Sequence, residues 1–216
     1  MPPPPDADLY EYGEATGPAK TLVNKHNEPQ PVKLYAGWFC PFGSFHYTPW
    51  REVRKMSLVQ RFWTVLEEKR IPSQYIEVNP YHKPESLLEL NARGLVPPLQ
   101  YDNKPLYESS VILEFLEDTY PEHGPKLLPA DPYSRARARI WIDFVTTRGL
   151  ELPNEGEGGV DERSWNRWKK WLAAIEEKRI IKETTSENQY YLLIYQRYAD
   201  NTAQSEKATR AGKGVP

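Results

Sequence analysis

The stretch VKLYAGWFCPF, residues 32–42, decides how the rest of the chain is read. Val32 to Ala36 alternates and is rich in β-forming residues, which predicts a strand. Cys40 follows that strand and is itself followed by Pro41. A thiol at the point where a first strand hands over to a helix is held as thiolate by backbone N–H groups and the helix dipole. Lowering its pKa from ~8.5 to about 7 raises the thiolate fraction at neutral pH from a few per cent to roughly half. The plain alternative is a small buried hydrophobe; the position after a first strand favours the functional thiol. Cys40 is the only cysteine. That excludes a disulfide framework, a cysteine-rich zinc site and a dithiol cycle within the chain.

Outward from this stretch the periodicity is clear. Val59, Phe62, Trp63 and Leu66 have the spacing of an amphipathic helix, which ends at Lys69-Arg70 before Ile71-Pro72. Gln74 to Val78 predicts a second strand, and Pro84 to Leu90 a short helix that stops near Gly94. Leu99 to Tyr101 and Leu106-Tyr107 flank Asp102-Asn103-Lys104, a hairpin signal. Ser109 reads as the cap of a helix with Ile112, Phe115, Leu116 and Thr119 on one face. Strand, helix, strand, helix, hairpin, helix is a thioredoxin-like α/β order.

Beyond Pro121 the chain turns helical. Asp131-Pro132 opens a helix through about Arg148, with Arg135, Arg137 and Arg139 read as a solvated face. Glu151 to Gly159 is a Gly/Glu loop with no Lys-Ser/Thr after its glycines, unlike a phosphate loop. Trp165, Trp168, Leu172 and Ile175 recur at helical spacing behind the cap candidate Asp161, a pattern that suits a core face. Tyr190 to Tyr198 predicts a further helix, with a frayed end after it. Residues 1–30 read as an irregular polar tail, 31–121 as the α/β domain and 122–216 as an all-helical one. Proline, at 21 of 216 residues, is about twice the usual ~5% and crowds the tail and the 121–132 linker.

The formal charge is −2 with dispersed basic residues, which disfavours a nucleic-acid partner. No apolar run approaches the roughly 20 residues that span a bilayer, so no membrane partner is expected. The first residues lack the basic flank and apolar segment of a secretory signal. A cytoplasmic location and no metal are the expectations.

Two segments converge on the region of Cys40. Val96-Pro97 precedes a strand, where a cis proline suits a peptide-binding edge. Glu108-Ser109 stands at a helix start. Its carboxylate can hold an ammonium group, and its hydroxyl and free N–H groups a carboxylate; a plain capping pair is the alternative. Together they describe a site for a small zwitterionic thiol peptide.

The chain resembles an omega-class glutathione transferase of the filamentous-fungal type. The resemblance rests on YAGWFCPF, VQRFWTVLEEKRIP, YIEVNPYHKPE, NARGLVPPLQYDNKPLYES and DPYSRARARIWIDF, and later on KETTSENQYY. It implies a thioredoxin-like N-terminal domain packed on an all-α one, with glutathione as co-substrate. It implies that Cys40 forms a mixed disulfide with glutathione and that Phe42 lines the pocket. Lys83, otherwise an isolated surface lysine, would approach the glycyl carboxylate. Val96 would pair with the peptide backbone beside cis Pro97, and Glu108 and Ser109 would hold the γ-glutamyl end. The second substrate would be a small electrophile or disulfide, and a homodimer is compatible.

The chain departs from that pattern twice. Gly43 to Leu58 is inserted between Cys-Pro-Phe and Val-Gln-Arg, and carries its own helix start at Thr48-Pro49. Cys40 then stands before that cap rather than beside it, which removes up to ~2 kcal/mol of thiolate stabilisation. Arg148 runs directly into Gly149-Leu-Glu-Leu-Pro, so several helices of the second domain, with its Ser-x-x-Asp cap, are absent. That shortening predicts exposed apolar surface. With one thiol, a mixed disulfide on Cys40 is resolved only by an external thiol. This suits deglutathionylation and dehydroascorbate or quinone-type substrates, in redox defence, detoxification or fungal secondary metabolism. The competing reading is a non-catalytic transferase-like binding protein.

Overall fold

The computed structural model describes residues 14–38, 58–78, 84–91, 98–147, 162–187 and 189–191. In chain order the elements are α1 (Gly17–Lys25), β1 (Val32–Ala36), α2 (Leu58–Lys69), β2 (Ser73–Glu77), α3 (Glu85–Leu90), β3 (Leu99–Tyr101), β4 (Lys104–Leu106) and α4 (Ser109–Thr119). The helices α5 (Pro132–Thr147), α6 (Glu162–Glu176) and α7 (Arg179–Glu183) follow.

Four strands form one sheet in the order β2-β1-β3-β4. β1 pairs with β2 in parallel and with β3 antiparallel, and β3 pairs with β4 antiparallel. The parallel pair requires a crossover, which α2 supplies. Alternation along β1 sorts the two faces. Val32, Leu34 and Ala36 join Phe62, Leu66, Ile112 and Leu116 in the main core, under α2 and α4. Tyr35 packs on the other side with Val78, Leu87 and Leu90 of the β2–α3 region.

α2 ends as a Schellman turn. Ile71 N–H donates to the Leu66 carbonyl at 2.9 Å and Arg70 N–H to Glu67 at 3.0 Å, with Arg70 at φ 54°. The hairpin turn is two residues rather than three. Asp102 and Asn103 both take positive φ, 45° and 63°, the type I′ requirement, and Lys104 belongs to β4. Ser109 is the first residue of α4 and not its cap; Glu108 holds the N-cap position without a side-chain cap hydrogen bond. α3 stops at Asn91, whose N–H bonds the Leu87 carbonyl.

The expectation of an irregular tail over 1–30 is corrected. Residues 17–25 are helical because proline stands in the first turn and Ala19, Leu22 and Val23 recur at helical spacing. All three are buried in the main core. In the C-terminal half, Asp131 caps α5 as expected, its Oδ2 accepting the Ser134 N–H at 2.7 Å. The solvated-face reading of the arginines is corrected in part. Arg139 holds Glu114 through Nε at 2.9 Å and Nη2 at 2.6 Å, and Arg135 lies 3.2 Å from Asp118, so α5 is pinned to α4. Exposed apolar surface is present: Tyr133, Ile140 and Trp141 on α5 and Trp171 on α6 are all at least 45% exposed. The side chains of Trp165, Trp168 and Leu172, and residues 192–198, lie outside the described residues.

A buried ion pair closes the far end of the α2–α4 layer. Lys69 Nζ lies 2.9 Å from Glu117 Oε2, with the two side chains 0% and 7% exposed. Glu117 Oε1 also accepts the backbone N–H groups of Leu127 at 3.0 Å and Leu128 at 3.4 Å. Burial alone would raise the Glu117 pKa; Lys69 and the two N–H donors together outweigh it and hold the carboxyl below its ordinary value.

Candidate functional site

The strand registers define one edge of the sheet. Leu34 of β1 is opposite Leu99 of β3, which is opposite Leu106 of β4. β1 therefore leaves the sheet at the edge where β3 enters and where β4 leads into α4. Tyr35 N–H donates to the Pro98 carbonyl at 3.2 Å, fixing the start of β3 against the end of β1. Trp38, two residues before Cys40, is 5% exposed at this edge. Glu108 and Ser109 stand there at the start of α4. The other expected site residues, Cys40, Phe42, Lys83, Val96 and Pro97, lie outside the described residues.

Glu108 is the strained residue of the edge. Its φ is 74° and ψ 117°, a region that side-chain-bearing residues rarely occupy. Such a conformation costs about 1–3 kcal/mol and persists where the surroundings impose it, most often at ligand-binding positions. Its side chain is exposed, while its carbonyl accepts the Ile112 N–H at 3.1 Å and so starts the helix. The first N–H groups of α4 lack partners within the helix, so a carboxylate that can accept from an ammonium and an anion-binding helix start are adjacent here.

Sequence reasoning missed what lies behind this edge. The C-terminal segment KETTSENQYY folds back onto the α/β domain. The Tyr191 ring packs edge-on against Trp38 with centroids 5.0 Å apart. Its hydroxyl accepts the Ser186 N–H at 3.2 Å and donates to the Trp38 carbonyl at 3.4 Å. Gln60, in the first turn of α2, donates through Nε2 to Thr185 Oγ1 at 2.9 Å and Thr184 Oγ1 at 3.2 Å. No local pattern predicts such contacts, because the partners are more than 120 residues apart. Among the described residues no cluster of His, Cys, Asp or Glu could hold a metal ion, and no helix is long and apolar enough to cross a membrane.

A thioredoxin-like mixed sheet with helices, continued by a helical segment, is the glutathione transferase-like fold. The chain belongs to the glutathione S-transferase family. The family model for the glutathione S-transferase N-terminal domain matches residues 56–119. The solved glutathione transferase Omega 3C from Trametes versicolor aligns over 82% of this chain and 99% of its own, at 30% identity and a TM-score of 0.66. Glutathione S-transferase omega-1 of Sus scrofa is 36% identical over 182 residues, 78% of this chain and 66% of that protein. Glutathione S-transferase U17 of Arabidopsis thaliana is 33% identical over 53% of this chain, a match that spans 44% of that protein. The chain thus spans about half the length of several curated relatives it matches.

Proposed function

We propose that this chain is an omega-like, fungal-type glutathione transferase of the thiol-transferase kind, acting through Cys40. The observation that carries the reading is Glu108, held exposed at φ 74° at the start of α4, on the sheet edge where β1 runs out toward the chain's only thiol. Omega-class relatives add to it. The Cys40 thiolate attacks the glutathione sulfur of a substrate disulfide, forming a Cys40–glutathione disulfide and expelling the substrate as thiol after proton uptake. A second glutathione thiolate then attacks that bond, leaving oxidised glutathione and free Cys40. Glu108 holds the γ-glutamyl ammonium and the α4 start its carboxylate, while Ser109, Val96, Pro97, Lys83 and Phe42 complete the peptide pocket. Dehydroascorbate and quinone-type acceptors enter by a different first step: the Cys40 thiolate adds to a carbonyl or ring carbon, a glutathione thiolate attacks the Cys40 sulfur and expels the reduced acceptor after proton uptake, and a further glutathione resolves the Cys40–glutathione disulfide as before. We place the protein in the cytoplasm, in redox defence, detoxification or a secondary-metabolite pathway. A homodimer is compatible with this reading.

The test is Cys40→Ser. It abolishes glutathione-dependent disulfide reduction while glutathione-agarose retention persists. Reduction surviving in that variant removes the mechanism, since no other thiol exists. Retention by the wild type without any reduction favours instead the non-catalytic binding protein, a reading the insertion 43–58 supports by separating Cys40 from the helix start.

A further inference from the structure

We propose that the cationic face of α6 docks on an anionic lipid surface, the helix lying in the headgroup plane with Arg163, Arg167 and Lys170 against lipid phosphates. The proposal is independent of Cys40 and goes beyond the transferase reading. Residues 163–170 carry Arg163, Arg167, Lys169 and Lys170 and no acidic side chain. The i, i+4, i+7 spacing puts Arg163, Arg167 and Lys170 on one face, along about 10 Å of helix axis. All three are exposed, and with Asn166 they line an open cleft of about 470 Å³.

Helix chemistry by itself disfavours this face. Like charges three and four residues apart repel, and a cation in the first turn, as Arg163 is, opposes the helix dipole. Other basic side chains of the helical half are given carboxylates: Arg135 has Asp118, Arg139 has Glu114, Arg179 has Glu183 and Lys182 has Glu177. Among the described residues no carboxylate pairs with Arg163, Arg167 or Lys170. The complement of this face is therefore an anion outside the chain. Guanidinium forks match phosphate oxygens in pairs, and the Asn166 amide adds a donor between them. A planar array of phosphates fits a straight stripe on one 15-residue helix. Trp171, next to Lys170 and one turn beyond Arg167, borders the stripe and is 45% exposed. An indole at the rim of a cationic face suits the headgroup level, where its ring is half in apolar surroundings and its N–H stays wet. No described helix is long and apolar enough to cross a membrane; a helix lying in the interface needs no such run. Clusters of this kind on an amphipathic helix bind the anionic leaflet, each Lys or Arg strengthening partition about fivefold.

The experiment is co-sedimentation of the full chain with phosphatidylcholine vesicles with and without phosphatidylserine. The wild type is expected to sediment with the phosphatidylserine vesicles only, and to be released at about 0.5 M salt, where charges a few ångströms apart are screened. Arg163→Gln, Arg167→Gln and Lys170→Gln together lower the partition about a hundredfold, and Arg167→Gln alone about fivefold. Arg163→Lys with Arg167→Lys keeps the charge and stays near wild type, as does Arg137→Gln, an exposed cation of α5. Where the triple variant does not fold, Arg167→Gln decides. Equal binding to uncharged vesicles, a triple variant within about twofold of wild type, or no vesicle binding by the wild type overturns the proposal. Single-stranded RNA bound by the wild type and lost in the triple variant, with no vesicle binding, also overturns it and gives the face to a nucleic acid. Absence of glutathione-dependent reduction defeats the proposed function and leaves this comparison untouched.

Discussion

Removing the Glu117 carboxylate tests the energetic core of the α2–α4 layer. Glu117→Ala leaves the Lys69 ammonium, 0% exposed, without the carboxylate 2.9 Å away. Stranding one member of a buried pair costs about 3–5 kcal/mol. The Leu127 N–H, which donated to Oε1 at 3.0 Å, loses its acceptor as well, a further ~1 kcal/mol. Against a total stability of about 5–15 kcal/mol, the variant loses a large share. At about 2–4 °C per kcal/mol for a chain of this size, the melting temperature falls by roughly 8–24 °C. The assay is thermal denaturation by circular dichroism of wild type, Glu117→Ala, Lys69→Met and the double variant. The double variant is expected to melt above Glu117→Ala, because it no longer buries an unpaired charge. Strictly additive losses, or a Glu117→Ala melt within about 2 °C of wild type, would show that the stranded charge is not what the carboxylate prevents.

Gly124→Ala is expected to destabilise by about 2–4 kcal/mol in urea titration. Gly124 sits at φ 56°, and an added Cβ would meet the Glu68 carbonyl oxygen at 2.5 Å and Lys69 Cα at 2.6 Å, backbone atoms that cannot swing aside; an unchanged midpoint refutes this. Glu108→Gly should melt at or above the wild-type temperature, since glycine relieves the positive φ, with a gain of up to about 1 kcal/mol, yet lose retention on glutathione-agarose. A lower melt with retention intact reverses the assignment of that strain to binding.

His26 supplies a pH prediction. Its Nε2 faces Glu67 Oε1 at 2.7 Å and its Nδ1 the Ser73 carbonyl at 2.8 Å, two acceptors that only the imidazolium satisfies together. The Glu67 hydrogen bond chiefly raises its pKa, against burial and Lys25. The folded pKa lies above the unfolded one, so this stabilisation is full below the unfolded value near 6.5 and fades as pH rises through the folded pKa. The stability gap between wild type and His26→Ala should be widest near pH 5.5 and shrink toward pH 9; a constant gap excludes the imidazolium.

Elements set by short-range chemistry were legible in the residues alone. The apolar stripe of Val59, Phe62, Trp63 and Leu66 marks α2, and all four are buried. Asp102-Asn103 marks the hairpin through its tolerance of positive φ, and Asp131-Pro132 the start of α5. The same local logic picked out Glu108-Ser109 as a helix start. It could not show that Glu108, rather than Ser109, holds the N-cap position under strain, because the hairpin and α4 impose that geometry jointly.

What the tertiary structure alone decided involves partners far apart in sequence. By themselves the residues of α1 read as tail, because nine residues with three apolar positions form a helix only when a core waits to bury them. The arginines of α5 look solvated until α4 brings Glu114 and Asp118 beside them. Lys69 and Glu117 are two ordinary surface-type residues until the C-terminal end of α2 and the last turn of α4 close over them. Tyr191 meets Trp38 across 153 positions. Periodicity carries information over a turn or two of chain; which faces meet is fixed only when the whole core packs.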